Sequence, residues 1–463
     1  MAGNVKELKE KLLLKKNHGG LVLSEDDLSK VEKFSVGYKE FLNKSKTERE
    51  AVNYVLKIVK EKGFTEFDKS KKYKPGDKVY YVNRNRAIAL AVIGEDGTKN
   101  GVKMAIAHID SPRLDLKPNP LYENNDIALF KTHYYGGIKK YQWTAIPLSL
   151  HGRVVKSDGS YVDINLGEDK DEPCFCVTDL LPHLAKEQMN KTMLKGIDGE
   201  NLNVLVGSLP FKSDKESELV KLNIMKLINE KYDIVESDFV SAELELVPTF
   251  KAQDVGFDRS LIGGYGHDDR VCAYPIVEAI INSEKPKETI ITVLADKEEI
   301  GSDGNTGMKS KFIKYFISDL AMQDGMKCRD VLRKSKCIST DVNAAFDPTY
   351  SSQYDASNSC YINRGVVVTK YTGSGGKSGT SDASAEYMGE IRQILDKADI
   401  LWQTGELGKV DAGGGGTIAK FVANLDVDVV DMGVPVLSMH APFEVISKID
   451  LYMLYKATVA FFD

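Results

Sequence analysis

Hydrophobic and polar positions near the start of the chain follow the period of amphipathic helices. Apolar residues recur three and four positions apart from about Ser29 to Lys62, in VEKFSVGYKEFL and EREAVNYVLKIVKEKG, which predicts helices. Thr47, followed three residues later by Glu50, has the pattern of a capping box, so a helix should begin there. Short apolar runs follow in KVYYVNR, AIALAVIG and KMAIAH, and they predict strands.

The segment 118–248 has a different pattern. It combines tyrosine-rich and β-branched stretches, such as YYGGIKKY and YVDINLG, with the charged stretch SDKESELVKLNIMKLINEKYD. It has no regular alternation of strands with helices. We interpret this segment as a smaller mixed α/β domain, inserted into a larger domain that consists of residues 1–117 and 249–463.

From about residue 251 onward, predicted strands and helices alternate. The helix RVCAYPIVEAIINS precedes the strand ETIITVLA, and the helix SKFIKYFISDLAMQ precedes the strand CISTDV. The strand GVVVTK precedes the helix DASAEYMGEIRQILDKA, and the strand VPVLSM leads into a final helix over FEVISKIDLYMLYKATVAFF. This alternation predicts an α/β fold in which helices sandwich a mostly parallel sheet.

Composition narrows the class of protein. The chain has 463 residues, 42% of them hydrophobic, which suits about two to four domains. Its 62 basic and 68 acidic residues give a net charge of −6, which argues against a nucleic-acid binder that relies on bulk charge. Apolar runs are shorter than the roughly 20 residues of a membrane span, and the N-terminus has no signal-peptide core. The six cysteines lack zinc-ribbon spacing and suit reduced thiols in a cytoplasmic protein.

Histidines and carboxylates follow the strands of the predicted sheet. Ligands of open α/β sheets bind beyond the carboxyl ends of the strands. The residues at such positions are His108 and Asp110 after KMAIA, Glu298 and Glu299 after TIITVLA, Asp341 after CIST, His440 after PVLSM, and Asp268 and Asp269 before a helix. Each alone has an ordinary explanation, such as a structural histidine, a solvated turn or a helix N-cap. Their joint occurrence predicts a metal site.

The donor set predicts two metal ions. Two histidines and three or four carboxylates without a thiolate suit zinc, manganese or cobalt. The set is too large for one open catalytic zinc and suits two ions, about 3.5–4 Å apart, that share a carboxylate. Asp110 could accept the second ring N–H of His108 and orient the ring. Glu298 and Glu299 are adjacent, so one could bind metal while the other carries a proton.

Five ordered motifs resemble the M18 family of metallo-aminopeptidases, the relatives of aspartyl aminopeptidase and aminopeptidase I. The motifs are AHIDSPRLDLKPNP, GHDDRVCAY, DKEEIGS, STDVNAAFDP and SMHAPFE. The resemblance extends along nearly the whole chain, because FLNKSKTEREAV with KGFTEF resembles the family's N-terminal segment, and DAGGGGTIAKFVA resembles its glycine-rich segment.

The resemblance implies an enzyme that removes an acidic or neutral N-terminal residue from peptides with a free N-terminus. Its catalytic domain would be of the di-metal exopeptidase type, and the insert 118–248 would serve oligomerisation and substrate access. The two divalent ions would be zinc, with manganese or cobalt as alternatives. One ion would be bound by His108, Asp268 and Asp341, and the other by Glu299, Asp268 and His440.

The resemblance also implies roles for residues beside the ions. Glu298 would be the general base, and Asp110 would support His108. His183, in LLPHLA, would reach the active site of a neighbouring subunit and help to polarise the scissile carbonyl, in a family that forms dodecamers. Lys370 lies near a basic residue with which acid-selective members hold the substrate side chain.

Several alternatives remain open at the level of sequence. Eukaryotic members often carry Asn where this chain has Asp269, so Asp268 and Asp269 are both candidates for the bridging position. The segment GSGGKSGTSDAS departs from the family pattern, which leaves the preferred N-terminal residue open. A di-metal amidohydrolase, deacylase or carboxypeptidase is the alternative function, and an inactive scaffold is another. A phosphate-binding loop at 376–378 is disfavoured, because a Walker A loop requires glycine at the position of Tyr371.

Overall fold

The computed structural model describes residues 5–213 and 216–463. These residues form 23 strands, numbered in chain order. The strands are β1 (Thr65–Glu66), β2 (Lys78–Asn83), β3 (Ala87–Val92), β4 (Val102–His108), β5 (Arg113–Asn124), β6 (Ile127–Tyr135), β7 (Leu148–Val155), β8 (Tyr161–Leu166), β9 (Cys176–Val177), β10 (Val204–Gly207), β11 (Ala242–Pro248), β12 (Gln253–Val255), β13 (Leu261–Gly264), β14 (Thr289–Ala295), β15 (Lys336–Ser339), β16 (Asn343–Ala344), β17 (Val366–Thr369), β18 (Gly373–Ser374), β19 (Trp402–Thr404), β20 (Gly414–Gly415), β21 (Asp428–Gly433), β22 (Pro435–Leu437) and β23 (Glu444–Ser447).

The same described residues form 13 α-helices and five short 3₁₀ helices. The α-helices are α1 (Val5–Leu12), α2 (Gly19–Val22), α3 (Glu25–Lys44), α4 (Glu48–Glu61), α5 (Lys186–Met189), α6 (Met193–Gly196), α7 (Leu219–Tyr232), α8 (His267–Ile281), α9 (Phe312–Gln323), α10 (Cys328–Leu332), α11 (Ala385–Lys397), α12 (Ala419–Ala423) and α13 (Lys448–Phe462). The 3₁₀ helices are Lys140–Trp143, Gly199–Asn201, Glu236–Ser241, Glu298–Ile300 and Pro348–Gln353. The capping box predicted at Thr47 is confirmed, because its side chain and that of Glu50 cap α4 reciprocally.

The central sheet has nine strands in the order β1-β2-β3-β14-β4-β15-β21-β17-β19. Its four middle strands, β14, β4, β15 and β21, run parallel to one another. The pairs β2–β3, β3–β14 and β17–β21 are antiparallel. The predicted α/β class is therefore confirmed, with a parallel centre and mixed edges.

Helices cover both faces of the central sheet. Alternate residues of its strands join different apolar clusters, because side chains alternate across a strand. Ile88 and Leu90 pack in a cluster with α3, α4, α8, α11 and α13, whereas Ala89 and Ile106 pack in a cluster with α9, α10 and α12. Burial on both faces explains why AIALAV is continuously apolar, and why every residue of AIALAV and of TIITVLA is buried.

A second sheet contains seven strands in the order β8-β7-β11-β5-β6-β10-β9. All neighbouring pairs in it are antiparallel. It has a separate apolar core, which includes Phe130 and Trp143. Its strand β5 begins at Arg113, so the boundary predicted between residues 117 and 118 falls within a strand.

A third sheet contains five strands in the order β12-β13-β23-β22-β16. Strand β23 corrects the predicted final helix, which was expected to begin near Phe443. Residues Glu444–Ser447 instead pair with β13 and β22, and α13 begins at Lys448, with Ser447 as its N-cap. Pairing with two neighbouring strands satisfies the backbone of this β-branched segment, which a helical pattern alone did not reveal.

Two expectations from composition, reduced cysteines and the lack of a membrane span, can be compared with the structure. All six cysteines, Cys174, Cys176, Cys272, Cys328, Cys337 and Cys360, are free thiols. Within residues 5–213 and 216–463, no helix has both the length and the apolar character needed to cross a bilayer.

Candidate metal centre

Three parallel strands of the central sheet end beside the candidate metal centre. His108 is the last residue of β4 and lies opposite Ala295, the last residue of β14. Glu298 and Glu299 follow β14 in a short 3₁₀ helix, and Asp341 lies two residues after the end of β15. Because β14, β4 and β15 are parallel neighbours, their carboxyl ends bring these side chains to one edge of the sheet.

The remaining two candidate ligands come from the five-stranded sheet. Asp268 lies at the start of α8, four residues after β13, and its peptide bond to Asp269 is cis. His440 lies three residues after Leu437, the end of β22. Since β22 belongs to the five-stranded sheet, His440 does not follow a strand of the central sheet, in contrast to the sequence-based expectation.

Asp268 lies between the two histidines. Its Oδ1 is 3.2 Å from Nε2 of His108, and its Oδ2 is 3.2 Å from Nε2 of His440. Burial opposes ionisation of Asp268, but hydrogen bonds from both histidines outweigh it and lower the pKa of this carboxyl. A carboxylate with one oxygen toward each of two histidines has the geometry of a bridging ligand.

Glu298, Glu299 and Asp341 approach the same histidines. Glu299 Oε2 is 3.5 Å from Nε2 of His440. Glu298 Oε2 and Asp341 Oδ1 are each 3.9 Å from Nε2 of His108. All five residues predicted as metal ligands from the sequence resemblance therefore lie around one point of the fold, together with the predicted general base.

Asp269 remains close to this group. Its Oδ2 accepts a hydrogen bond from the backbone N–H of His108 at 3.3 Å, and its Oδ1 is buried without a hydrogen-bond partner. Two groups have ligand atoms within 4.8 Å of one another: His108, Asp268 and Glu299, and His108, Asp269 and Asp341. Only Asp268 faces both histidine rings, which favours it for the bridging position.

Asp110 links the residues that surround His108. The Nδ1 of His108 lies 3.0 Å from the backbone carbonyl oxygen of Asp110 and 3.3 Å from its Oδ1. Oδ1 also accepts the backbone N–H of Glu298 at 3.0 Å. Its Oδ2 accepts the backbone N–H of Glu299 at 3.1 Å and the hydroxyl of Tyr135 at 2.8 Å. Asp110 thus orients His108 and also holds the segment that carries both glutamates.

The centre concentrates carboxyl groups that are buried or only partly exposed. In the described part of the chain, seven carboxyl groups surround two histidines, namely Asp110, Asp268, Asp269, Glu298, Glu299, Asp341 and Glu444. Burial raises the pKa of Glu298 to about 7, and it raises the pKa values of Glu299 and Asp341 well above their ordinary range. Glu299 Oε1 is also buried without a hydrogen-bond partner. Divalent cations would neutralise this charge and satisfy these oxygens, so the donor set fits such ions.

A cavity of about 410 Å³ opens onto the centre. Its lining includes Glu298, His440 and the segment 414–416. Gly414 has a φ of 151°, and a Cβ there would approach the carbonyl oxygen of Gly373 to 2.6 Å. Only glycine fits at this position, so bare backbone can lie beside a bound substrate.

Two of the predicted residues lie outside this cluster. His183 is exposed in a turn before α5 and does not line the cavity. Lys370 is exposed and does not line the cavity, and its Nζ lies 3.1 Å from Oδ1 of Asp382. Lys420 does line the cavity, and it pairs with no carboxylate in the part of the chain that the structure describes.

The sequence argument missed two residues that hold the centre together. Tyr135 donates its hydroxyl to Asp110, and burial raises the pKa of that hydroxyl above its ordinary value. Glu444 accepts the backbone N–H groups of Asp268 and His440. Glu444 was within reach of sequence reasoning because it closes the motif SMHAPFE, whereas Tyr135 lies in a segment that showed no comparable signal.

The family comparison agrees with this geometry. A family profile described as "Aminopeptidase I zinc metalloprotease (M18)" matches residues 41–462. The chain belongs to the M18 family of aminopeptidases. The resemblance seen in the five motifs is thereby confirmed, as is the assignment to hydrolases that act on peptide N-termini. Membership of the M18 family favours this activity over the deacylase and carboxypeptidase alternatives.

Relatives in the M18 family match over nearly their full length. A probable M18 family aminopeptidase 1 of Clostridium acetobutylicum is 50% identical over 448 residues, which are 95% of this chain and 96% of the relative. One of Borrelia garinii is 47% identical over 457 residues, which are 97% of this chain and 100% of the relative. The crystal structure of the M18 aminopeptidase from Thermotoga maritima superposes with a TM-score of 0.93, at 44% identity, and covers 97% of this chain and 99% of its own.

Proposed function

We propose that this M18 aminopeptidase uses two divalent cations held at the metal centre. His108, Asp268 and Asp341 would bind one cation, and Glu299, Asp268 and His440 would bind the other. This assignment is supported by the position of Asp268, whose two carboxylate oxygens each lie 3.2 Å from a different histidine. Zinc is the preferred ion, because the matched family is described as a zinc metalloprotease and the donors are imidazole and carboxylate.

The chain's own residues supply the proton transfer. Bound cations would supply Lewis acidity toward the peptide carbonyl and acidify water in the cavity. Glu298 accepts a proton from the attacking water and passes it to the leaving amine. Burial favours this role, since it raises the pKa of Glu298 to about 7, where a carboxyl group can both accept and release a proton near neutral pH. Nearby cations would lower that pKa. Asp110 keeps Glu298 in place through the Glu298 backbone N–H.

Replacement of Glu298 tests this role. Glu298→Gln keeps the shape of the side chain but cannot accept the proton, so kcat should fall by about 10²- to 10⁴-fold. The zinc content, measured by mass spectrometry of the metal, should stay at that of the parent. Glu278→Gln, on α8 away from the cavity, is the matched control and should keep its activity. Normal turnover in Glu298→Gln would exclude Glu298 as the base.

We expect specificity for substrates with a free N-terminus, because the substrate's α-amine would lie near the carboxylates of the metal centre. The carboxylates on the cavity wall, including Asp268 and Glu299, would attract a protonated N-terminus, and acetylation of that N-terminus would remove the attraction. We therefore expect cleavage of aminoacyl amides and no cleavage of their N-acetyl forms. Cleavage only at internal bonds of blocked peptides would contradict the proposal.

Oligomer assembly would complete the active site. We propose that the residues before β5 and after β11 form the catalytic domain, and that the segment between them, predicted from the sequence as 118–248, brings His183 to the active site of a neighbouring subunit. One structural neighbour is described as a dodecamer, that of the yeast mApe1 at 17% identity. The exposure of His183 and its absence from the cavity lining of its own chain support a role outside its own subunit.

Subunit mixing tests the role of His183. Chains with His183→Ala and chains with Glu298→Gln carry different tags, are co-expressed, and are purified as mixed oligomers. If His183 acts on a neighbour, a His183→Ala chain beside a Glu298→Gln chain has both groups at its active site, and activity returns. If His183 acts in its own chain, the mixed oligomers stay as inactive as the separate variants.

A further inference from the structure

Glu444 joins the two parts of the metal centre that come from the five-stranded sheet. It is the first residue of β23, and its side chain is buried. Its Oε2 accepts the backbone N–H of Asp268 at 3.0 Å, and its Oε1 accepts the backbone N–H of His440 at 2.7 Å. Both oxygens are thus committed to main-chain donors, so Glu444 does not compete as a ligand for a cation.

The sheet places Glu444 where it can reach both segments. Strand β23 lies between β13 and β22, and Glu444 lies opposite Gly264, the last residue of β13. The chain leaves β13 toward Asp268 and leaves β22 toward His440. The central strand therefore begins between two loops, each of which carries one candidate ligand.

The conformation of His440 depends on such an anchor. His440 has a φ of 64°, in the left-handed region that residues other than glycine rarely adopt. Its backbone N–H donates to Glu444, and its ring Nδ1 lies 2.8 Å from the carbonyl oxygen of Gly137. These two contacts fix the backbone and the ring, and they direct Nε2 toward Asp268 and Glu299.

We propose that Glu444 is a positioning residue that fixes the separation of Asp268 and His440, and thereby sets the affinity for the cation that both would bind. The inference rests on the two-cation function proposed above. Metal ligands must keep their geometry closely for tight binding, and partners that orient them change metal affinity by about 10- to 100-fold. Glu444 would act in this way through the main chain of both ligands.

Zinc titration of Glu444→Gln tests the proposal. Glutamine keeps the shape but offers one acceptor oxygen, so its NH₂ group would face the N–H of Asp268 or that of His440. His440→Ala first identifies which of the two zinc equivalents depends on His440. In Glu444→Gln, the affinity of that equivalent should fall by about 10- to 100-fold, and kcat should recover at saturating zinc.

Asp450 provides a matched control. It is also buried, and its two carboxylate oxygens accept the backbone N–H groups of Asn363 and Gly365 at 2.8 and 2.7 Å. Asp450→Asn therefore makes the same chemical change away from the metal centre. It should lower the melting temperature as Glu444→Gln does, but leave zinc affinity unchanged.

Three results separate the possible failures. If the parent binds no zinc stoichiometrically, the proposed two-cation function fails. If the parent binds two equivalents of zinc and Glu444→Gln binds both as tightly as the parent, only the role of Glu444 is overturned. That role is also overturned if Asp450→Asn lowers the zinc affinity as much as Glu444→Gln does. Should Glu444→Gln not fold, Glu444→Asp keeps the charge but has a shorter reach, and the same equivalent of zinc should bind more weakly.

Discussion

Asp110 provides a sharp test of how the metal centre is held together. Its carboxylate accepts three hydrogen bonds, from the backbone N–H groups of Glu298 and Glu299 and from the hydroxyl of Tyr135, and it also lies 3.3 Å from Nδ1 of His108. Asp110→Asn keeps the shape but replaces one oxygen by an NH₂ group. In either orientation, this group faces at least one backbone N–H and leaves it without an acceptor.

The cost can be estimated from that lost acceptor. A buried donor left without a partner costs about 1–3 kcal/mol, and each 1.36 kcal/mol of transition-state stabilisation is tenfold in rate. Since partners that orient metal-binding histidines typically contribute 10- to 100-fold, we expect kcat/KM of Asp110→Asn to fall by about 10- to 100-fold.

The assay is hydrolysis of aminoacyl p-nitroanilides, followed together with zinc affinity by competition against a chromogenic chelator. Both kcat/KM and zinc affinity should fall, because Asp110 contacts His108 as well as the backbone of both glutamates. Tyr135→Phe removes one donor and leaves both backbone N–H groups paired, so its effect should be smaller. Unchanged kinetics in Asp110→Asn, or a larger defect in Tyr135→Phe, would refute this reasoning.

Three further predictions concern specificity, metal binding and stability. Lys420→Ala should lower the ratio of kcat/KM for acidic aminoacyl substrates to kcat/KM for leucyl substrates, and it should do so more than Lys370→Ala. The reason is that Lys420 lines the cavity whereas Lys370 is paired with Asp382. Equal effects of the two variants across a substrate panel would contradict this prediction. Although burial lowers it, the hydrogen bond to Asp268 raises the pKa of His440 to about 11 in the metal-free chain. His440 therefore holds a proton that zinc must displace, so zinc affinity should rise with pH, and calorimetry in two buffers of different ionisation enthalpy should detect proton release. Thr47→Ala should lower the free energy of unfolding by about 0.5–2 kcal/mol through the lost cap of α4, and Thr47→Ser, as the control in thermal unfolding, should not.

Local sequence patterns predicted the helices and strands whose stabilising features lie within a few residues of one another in the chain. Strands such as AIALAV are buried on both faces, so their continuous apolar runs are visible without knowledge of the partner strands. The capping box at Thr47 and Glu50 involves residues only three positions apart, so its geometry is local as well. The final helix was the exception, because Glu444–Ser447 became a strand through pairing with segments far away in the chain.

The candidate ligands could be collected from the sequence because parallel strands end at one edge of a sheet. The types of residue at those ends, together with the order of the motifs, sufficed to propose His108, Glu299 and Asp341 as members of one centre. The family resemblance favoured Asp268 over Asp269 for the bridging position, but the two are neighbours with the same side chain, so Asp269 stayed a candidate.

Tertiary structure decided what depends on orientation. Only the tertiary contacts between residues that follow strands of different sheets show that Asp268 lies beside both histidine rings. They also show that Glu444 reaches the backbone of Asp268 and of His440. The tertiary structure also shows that Lys420, rather than Lys370, faces the cavity. The physical reason is that hydrophobic periodicity along the chain indicates which residues are buried. The direction of a side chain relative to a distant one is set by strand pairing and loop conformation, and no local sequence pattern encodes these.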